Sequence, residues 1–221
     1  MTSSGVPEAH PPPATAAVVE RWLRGWIVAV AERREWLTDL DAAIGDGDHG
    51  INLHRGLTRF GADLDAGLVG VDDAGALLTA AGRTLMGVVG GASGALYGRA
   101  LSHAGSAVGS DTLLDRLPEV ALEAAVDAIT ALGKASPGDK TMLDALVPAL
   151  DALRAAPGVP VAERAWLAAE AADAGARATI PLVARKGRAS YLGERSAGHL
   201  DPGAASSALL VRCLADAIAR P

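Results

Sequence analysis

The stretch ATAAVVERWLRGWIVAVAERREWLTDLDAAIGDGDHG, residues 14–50, decides the fold. Val18, Val19, Trp22, Leu23, Trp26, Ile27 and Val30 recur at steps of three and four, with Glu20, Arg21 and Arg24 on the other face. That period marks an amphipathic helix, which the pattern carries from Ala14 to about Leu40. The helix delivers Asp41 into a loop where Asp46 and Asp48 alternate with Gly45, Gly47 and Gly50. Glycine lets the backbone curl there and aim several carboxylates at one point. Two such charges about 5 Å apart at an effective dielectric of 20 cost roughly 3 kcal/mol. A fold accepts the cluster if the loop is solvated, if one carboxylate keeps its proton, or if a cation sits between them.

A solvated turn is the plain reading, since Asp and Gly are ordinary turn residues. Against it, helical patterns abut the cluster on both sides and apolar Ile44 lies inside it. Metal binding is the stronger reading. Hard oxygen ligands with no cysteine or paired histidine nearby point to Mg²⁺ or Ca²⁺, not zinc. The spacing lacks the closing glutamate of an EF-hand. Mg²⁺ held by few carboxylates brings waters and phosphates with it, so a phosphate-bearing ligand is expected.

The helical period continues outward. A second helix starts near Gly50 and carries Leu53, Leu57, Phe60 and Leu64; Asp72 or Asp73 caps a third with Leu77, Leu78, Ala81 and Leu85. A glycine-rich break from Gly87 to Gly94 leads into a fourth helix near Ala95 to His103. Asp111 or Thr112 opens a fifth, to about Leu132. Asp139 reads as the N-cap of a sixth running to Arg154. A seventh spans Val161 to about Ala184, and an eighth Gly203 to Ala219. No segment alternates with period two over strand length. The expected fold is all-α: an eight-helix up-and-down antiparallel barrel or bundle in one domain, 14–221, after a disordered proline-rich tail, 1–13.

In such an arrangement alternate loops share one end. The loops Asp41–Gly50, Gly87–Gly94, Gly133–Asp139 and Arg185–Pro202 therefore fall together, and the plain turns fall opposite. This parity predicts one active end. Gly90-Gly91-Ala92-Ser93-Gly94 can bring backbone N–H groups to phosphate oxygens at a helix N-terminus. It is neither a Walker A loop, which needs a closing Gly-Lys-Ser/Thr, nor a Rossmann turn, which needs a preceding strand. Small residues at a helix crossing would explain it equally well. Arg185, Lys186, Arg188 and Arg195 cluster in the last of these loops, where a solvated basic run is the ordinary reading and an arginine facing phosphates the functional one. Lys140 reads as an ordinary lysine after a cap.

Composition narrows the rest. The chain has 221 residues, half of them hydrophobic but only 3% aromatic, so Ala, Leu and Val must build the core. A net charge of −6 without a basic stripe argues against nucleic acid. Cys213 is alone and sits in a helical apolar pattern, which fits a reducing, cytoplasmic compartment. No charge-free apolar run reaches membrane-spanning length, and residues 1–13 lack the pattern of a signal peptide.

Taken in order, Asp41 to Asn52, Gly90 to Gly94, Gly138-Asp139-Lys140-Thr141-Met142-Leu143-Asp144, Gly187 to Arg195 and His199 to Ala204 resemble the signature of the nucleotide-binding L subunit of dihydroxyacetone kinases. The runs span residues 41–204. The resemblance implies an eight-helix barrel holding ADP or ATP at one end through two Mg²⁺ ions. It implies Asp41, Asp46 and Asp48 as metal ligands. His49, Gly50, Ile51 and Asn52 would line the nucleotide, with Ala92 and Ser93 near the phosphates and Gly133 and Met142 beside the nucleotide. Arg188, Asp201, Pro202 and Gly203 would close the site, with Arg188 the catalytic arginine.

The family's acceptor, dihydroxyacetone, is held on a separate K subunit, for which this chain has no room. In one scheme ATP is consumed; in the other ADP stays bound and is rephosphorylated by a phosphocarrier of the phosphoenolpyruvate phosphotransferase system. A free-standing chain is more similar to the second. ATP-dependent kinases for dihydroxyacetone, other short ketoses or fatty acids are the alternative, as is a nucleotide-loaded module that reports to a transcriptional regulator. A second copy of the chain, as a homodimer, is a further candidate partner.

Overall fold

The structure, a computed structural model, describes residues 14–220; the tail expected at 1–13 lies outside them. Among the described residues there are nine α-helices, one 3-10 segment and no strand. They are α1 (Ala14–Glu32), α2 (Arg34–Ile44), α3 (His49–Asp65), α4 (Ala74–Val88), α5 (Gly91–Val108), α6 (Leu117–Gly133), α7 (Leu143–Ala155), α8 (Val161–Ala178) and α9 (Pro202–Ala219), with the 3-10 segment at Arg188–Ser196. Each helix packs on the next, and α9 returns to α1, so the ring closes. Trp22 Nε1 seals that seam by donating to the Leu210 carbonyl at 2.8 Å.

The helix expected over 14–40 is two helices, which raises the count from eight to nine. The stripe Val19, Trp22–Leu23, Trp26, Val30 continues at the same step to Leu37, and Arg33 falls on it. A guanidinium cannot take that place in the core. The helix breaks there, Arg33 is exposed, and it lies 5.7 Å over the Trp36 ring. Neither proline nor glycine marks the break.

Helix ends moved for physical reasons. Asp73 does cap α4, accepting from Ala76 N at 2.8 Å. Asp139 does not cap α7. It accepts from Ser136 N within its own turn, and α7 begins at Leu143, where Asp144 takes the N–H groups of Gly138 (2.5 Å) and Thr141 (2.7 Å). The sixth helix starts at Leu117, with Pro118 in its first turn, instead of at Asp111 or Thr112. The helix expected from Val161 to about Ala184, α8, ends at Ala178.

The core is aliphatic around Trp26, Tyr97 and Phe60, all buried. Trp26 and Tyr97 tilt against each other at a centroid distance of 5.1 Å. Gly82 of α4 and Gly98 of α5 let two backbones touch: a Cβ at Gly98 would sit 2.8 Å from the Gly82 carbonyl oxygen. α9 is long and apolar enough to cross a membrane by length and composition, yet most of it is buried inside the ring.

A second, small core fixes the connection between α8 and α9. Ile44 at the end of α2 packs with Ala184 and Ala189, and Leu192 lies against them. Residues 179–201 are thereby drawn across the end of the ring as a strap.

Candidate functional site

The four unusual loops meet at one end, as the parity argument expects. They line a cavity of about 370 Å³, within the range of small-molecule sites.

Asp41, Asp46 and Asp48 present one oxygen each within 4.8 Å of one another. Asp41, in the last turn of α2, is buried; its Oδ2 accepts from the backbone N–H groups of Asp48 (2.9 Å) and His49 (3.1 Å). It therefore caps α3 from a distance, while Asp48, at the N-cap position, makes no such bond. Gly47 sits at φ 71, a left-handed conformation that any side chain would resist. Arg188 Nη1 reaches from the strap to Asp46 Oδ2 at 3.1 Å.

His49 is buried between two hydroxyls. Nδ1 lies 2.8 Å from Ser93 Oγ and Nε2 2.8 Å from Ser206 Oγ, and Ser206 also meets the Tyr97 hydroxyl at 2.7 Å. Burial pushes its pKa down, against the opposing pull of Asp41 and Asp48, so the ring is neutral at pH 7. With both nitrogens engaged, His49 is no metal ligand, and the donor set is three carboxylates. That set fits a hard divalent cation such as Mg²⁺.

Facing the carboxylates is the start of α5. Gly90 is its N-cap and offers no side-chain acceptor, so the first N–H groups of the helix are free for an anion. Gly91, Ala92 and Ser93 line the cavity there. An apolar wall of Leu96, Ile129, Leu132 and Met142 continues from them, with Gly133 at the end of α6. Asp201, Pro202 and Gly203 complete the rim. Asp201 caps α9 through Ala204 N at 2.7 Å, and burial lifts its carboxyl to about 7.

The cavity thus brings together twelve of the fifteen expected positions: Asp41, Asp46, Asp48, His49, Ala92, Ser93, Gly133, Met142, Arg188, Asp201, Pro202 and Gly203. Gly50, Ile51 and Asn52 are not among its lining residues. Gly50 faces α2, where a Cβ would collide with the Arg34 carbonyl; Ile51 is half exposed; Asn52 is buried beside Gly90. Sequence reasoning missed Lys140, which lines the cavity and is 1% exposed. Lys186, read only as part of a basic run, and Thr141, read only as part of a motif, line it as well.

The DAK2 domain profile matches residues 43–216. The PEP-dependent dihydroxyacetone kinase 1, ADP-binding subunit, of Listeria innocua is 43% identical over 199 residues, covering 88% of this chain and 92% of that protein. The chain belongs to the DAK2 family of dihydroxyacetone kinase subunits. Its enzyme class is therefore that of phosphotransferases with an alcohol acceptor. The corresponding Escherichia coli DAK2 protein, the ADP-binding subunit of a PEP-dependent dihydroxyacetone kinase, is 41% identical and is covered over 94% of its length. A longer DAK2 relative, the L-erythrulose 1-kinase of Mycolicibacterium smegmatis, is 40% identical over 197 residues but is covered over only 34%. Among solved structures, the dihydroxyacetone kinase of C. freundii in complex with AMP-PNP and Mg²⁺ aligns with TM-score 0.68 and 26% identity. That match takes in 98% of this DAK2 chain and 36% of that one.

Proposed function

We propose that this chain is the nucleotide-binding half of a dihydroxyacetone kinase. In this reading it binds a Mg²⁺-nucleotide in the end cavity and passes a phosphoryl group to dihydroxyacetone held on a separate K subunit. The observation that carries the reading is the three-carboxylate cluster set opposite the uncapped start of α5, with an apolar wall leading away. Asp41, Asp46 and Asp48 would hold two Mg²⁺ ions. The ions, when bound, would neutralise charge on the phosphates as the group moves. The α5 N–H groups and Ser93 orient the phosphates, the wall of Leu96, Ile129, Leu132 and Met142 takes the base, and Asp201 to Gly203 border it. Arg188, already at 3.1 Å from Asp46, stands beside the metal ligands and stabilises the transferring group.

The bond from the terminal phosphorus to the bridging oxygen breaks, leaving that oxygen on the nucleoside diphosphate, a bond to the acceptor hydroxyl oxygen forms, and the hydroxyl proton passes to solvent water. Ser93 Oγ, 2.8 Å from His49 Nδ1, orients the phosphates in this reading and takes no phosphoryl group itself, which passes directly from nucleotide to acceptor without a phosphoenzyme. Relatives of this length are PEP- or PTS-dependent by name. Their names support ADP as a retained coenzyme, rephosphorylated by a phosphocarrier in the cytoplasm. A different ketose acceptor is the second reading, favoured by the erythrulose kinase relative.

Thermal denaturation tests the reading. Ligand binding to the native state alone adds RT ln(1 + [L]/Kd), about 2.7 kcal/mol at a hundredfold excess over Kd. Mg²⁺ with ADP should raise the melting temperature by several degrees, and either alone far less. Equal shifts from ADP with and without chelator refute the bridging metals. Failure to phosphorylate dihydroxyacetone when a K subunit and phosphocarrier are added refutes the transfer.

A further inference from the structure

Lys140 has two properties that rarely coincide. Its backbone is left-handed, at φ 63, and its side chain is buried to 1% exposure. Nζ lies 2.8 Å from the Thr179 carbonyl oxygen, 3.1 Å from that of Leu182, 2.5 Å from that of His199 and 3.5 Å from that of Ile180. Four carbonyl oxygens converge on a group with three protons. All four belong to the strap, at both its beginning and its end. Asp201 and Asp144 supply negative charge nearby, while burial pulls the lysine's pKa down.

The cage is built from both sides. Asp144 pins the Lys140 loop through Gly138 N and Thr141 N. On the strap, Gly198 N donates to the Ile180 carbonyl at 2.7 Å, and Asp201 N to Thr179 Oγ1 at 3.0 Å. Arg185 N donates to the Asp139 carbonyl at 3.0 Å, next to the lysine itself. Lys140 is thus the side chain that joins the loop at one wall of the cavity to both ends of the strap carrying Arg188 and Asp201.

We infer that the Lys140 ammonium is a built-in monovalent cation: it fills a carbonyl cage, locks the strap over the cavity, and leaves a site for potassium when the side chain is removed. Backbone carbonyls that replace a hydration shell are the oxygen environment potassium takes, and an ammonium is its close mimic in size and charge. Lys140 acts as a positioning residue, and only its effect on the nucleotide rests on the function proposed above.

The experiment uses the full chain and three forms: unaltered, Lys140→Gly and Lys140→Met. Glycine suits the left-handed backbone and empties the cage; methionine fills it with an uncharged chain. Melting is followed in chloride salts of potassium, ammonium, sodium and tetramethylammonium at equal concentration. Lys140→Gly should melt lowest in tetramethylammonium and recover most of its loss in potassium or ammonium. The unaltered chain and Lys140→Met should be indifferent to the cation. Affinity for Mg²⁺-ADP should follow, with Lys140→Gly at least tenfold weaker in tetramethylammonium and restored in potassium. If the unaltered chain binds no Mg²⁺-ADP, the proposed function fails while the salt-dependent melting still tests the cage. The same melting temperature for Lys140→Gly in all four salts, or its failure to fold in any, overturns the inference. So does a neutral or rapidly exchanging Lys140 amine in ¹⁵N NMR of the unaltered chain, where a slowly exchanging ammonium is expected.

Discussion

Asp201→Asn isolates one carboxyl at the rim of the cavity. Burial raises Asp201 from an ordinary 3.8 to about 7; the Ala204 N–H and Lys140 oppose the rise, and Asp144 and Asp41 add to it. In the unfolded chain the same carboxyl ionises near 3.8. Between the two values the folded state keeps a proton that the unfolded state has released. Its contribution to stability is therefore fully present below about pH 4 and is lost as pH rises through about 7. A shift of about 3 units at 1.36 kcal/mol each puts the whole loss at about 4 kcal/mol. Asparagine still accepts from Ala204 N and caps α9, but has nothing to ionise. Urea unfolding of both proteins at pH 5, 6, 7 and 8 cancels every other titrating group in the difference. Asp201→Asn should gain about 2–3 kcal/mol on the parent between pH 5 and pH 8 and be the more stable at pH 8. Parallel pH–stability curves would show that Asp201 ionises in the fold as it does in water, and would refute the reasoning.

Three further outcomes follow from the geometry. Asp46→Asn should weaken Mg²⁺-ADP binding at least tenfold with helicity unchanged; unaltered affinity by calorimetry removes Asp46 from the metal set. Arg188→Ala should slow transfer to the acceptor by well over tenfold when a K subunit is supplied, and Arg188→Lys should recover only part, because an ammonium lacks the planar fork. Normal turnover in Arg188→Ala excludes the arginine from the chemistry. Gly98→Ala places a Cβ 2.8 Å from the Gly82 carbonyl oxygen and 3.0 Å from Met86 N, so α4 and α5 must part, at a cost of about 1–3 kcal/mol. An unchanged urea midpoint contradicts that close approach.

Much of the fold was legible because helices are written locally. The stripe from Val18 to Val30, the cap at Asp73 and the glycine-rich start of α5 each depend on neighbours within a turn or two. The carboxylate cluster was legible for the same reason, since seven positions separate Asp41 from Asp48. Loop parity then carried local reading to a global conclusion, the shared end. What failed was long-range. Lys140 gave no sign of burial, because its carbonyl partners lie 39 to 59 positions away. Asp139 carried the right residue type for a cap, yet Asp144 satisfies the free N–H groups better from inside the first turn. Gly50 carries a second demand that its ligand motif does not announce: its lack of a side chain lets α3 cross close over α2.

The closure of α9 on α1 has a consequence for how this unit can be joined to others. α1 runs toward the cavity and α9 away from it, so Ala14 and Arg220 both lie toward the opposite pole, where Arg21 reaches the Arg220 carbonyl and Thr15 that of Thr112. A domain tethered at either point hangs from the blind end of the barrel and leaves the mouth clear. Insertion of the whole unit into a longer polypeptide needs only two attachment points toward that pole, and neither lies on the cavity rim. Under the proposed function, a partner that delivers or receives a phosphoryl group would approach from the pole opposite any such tether.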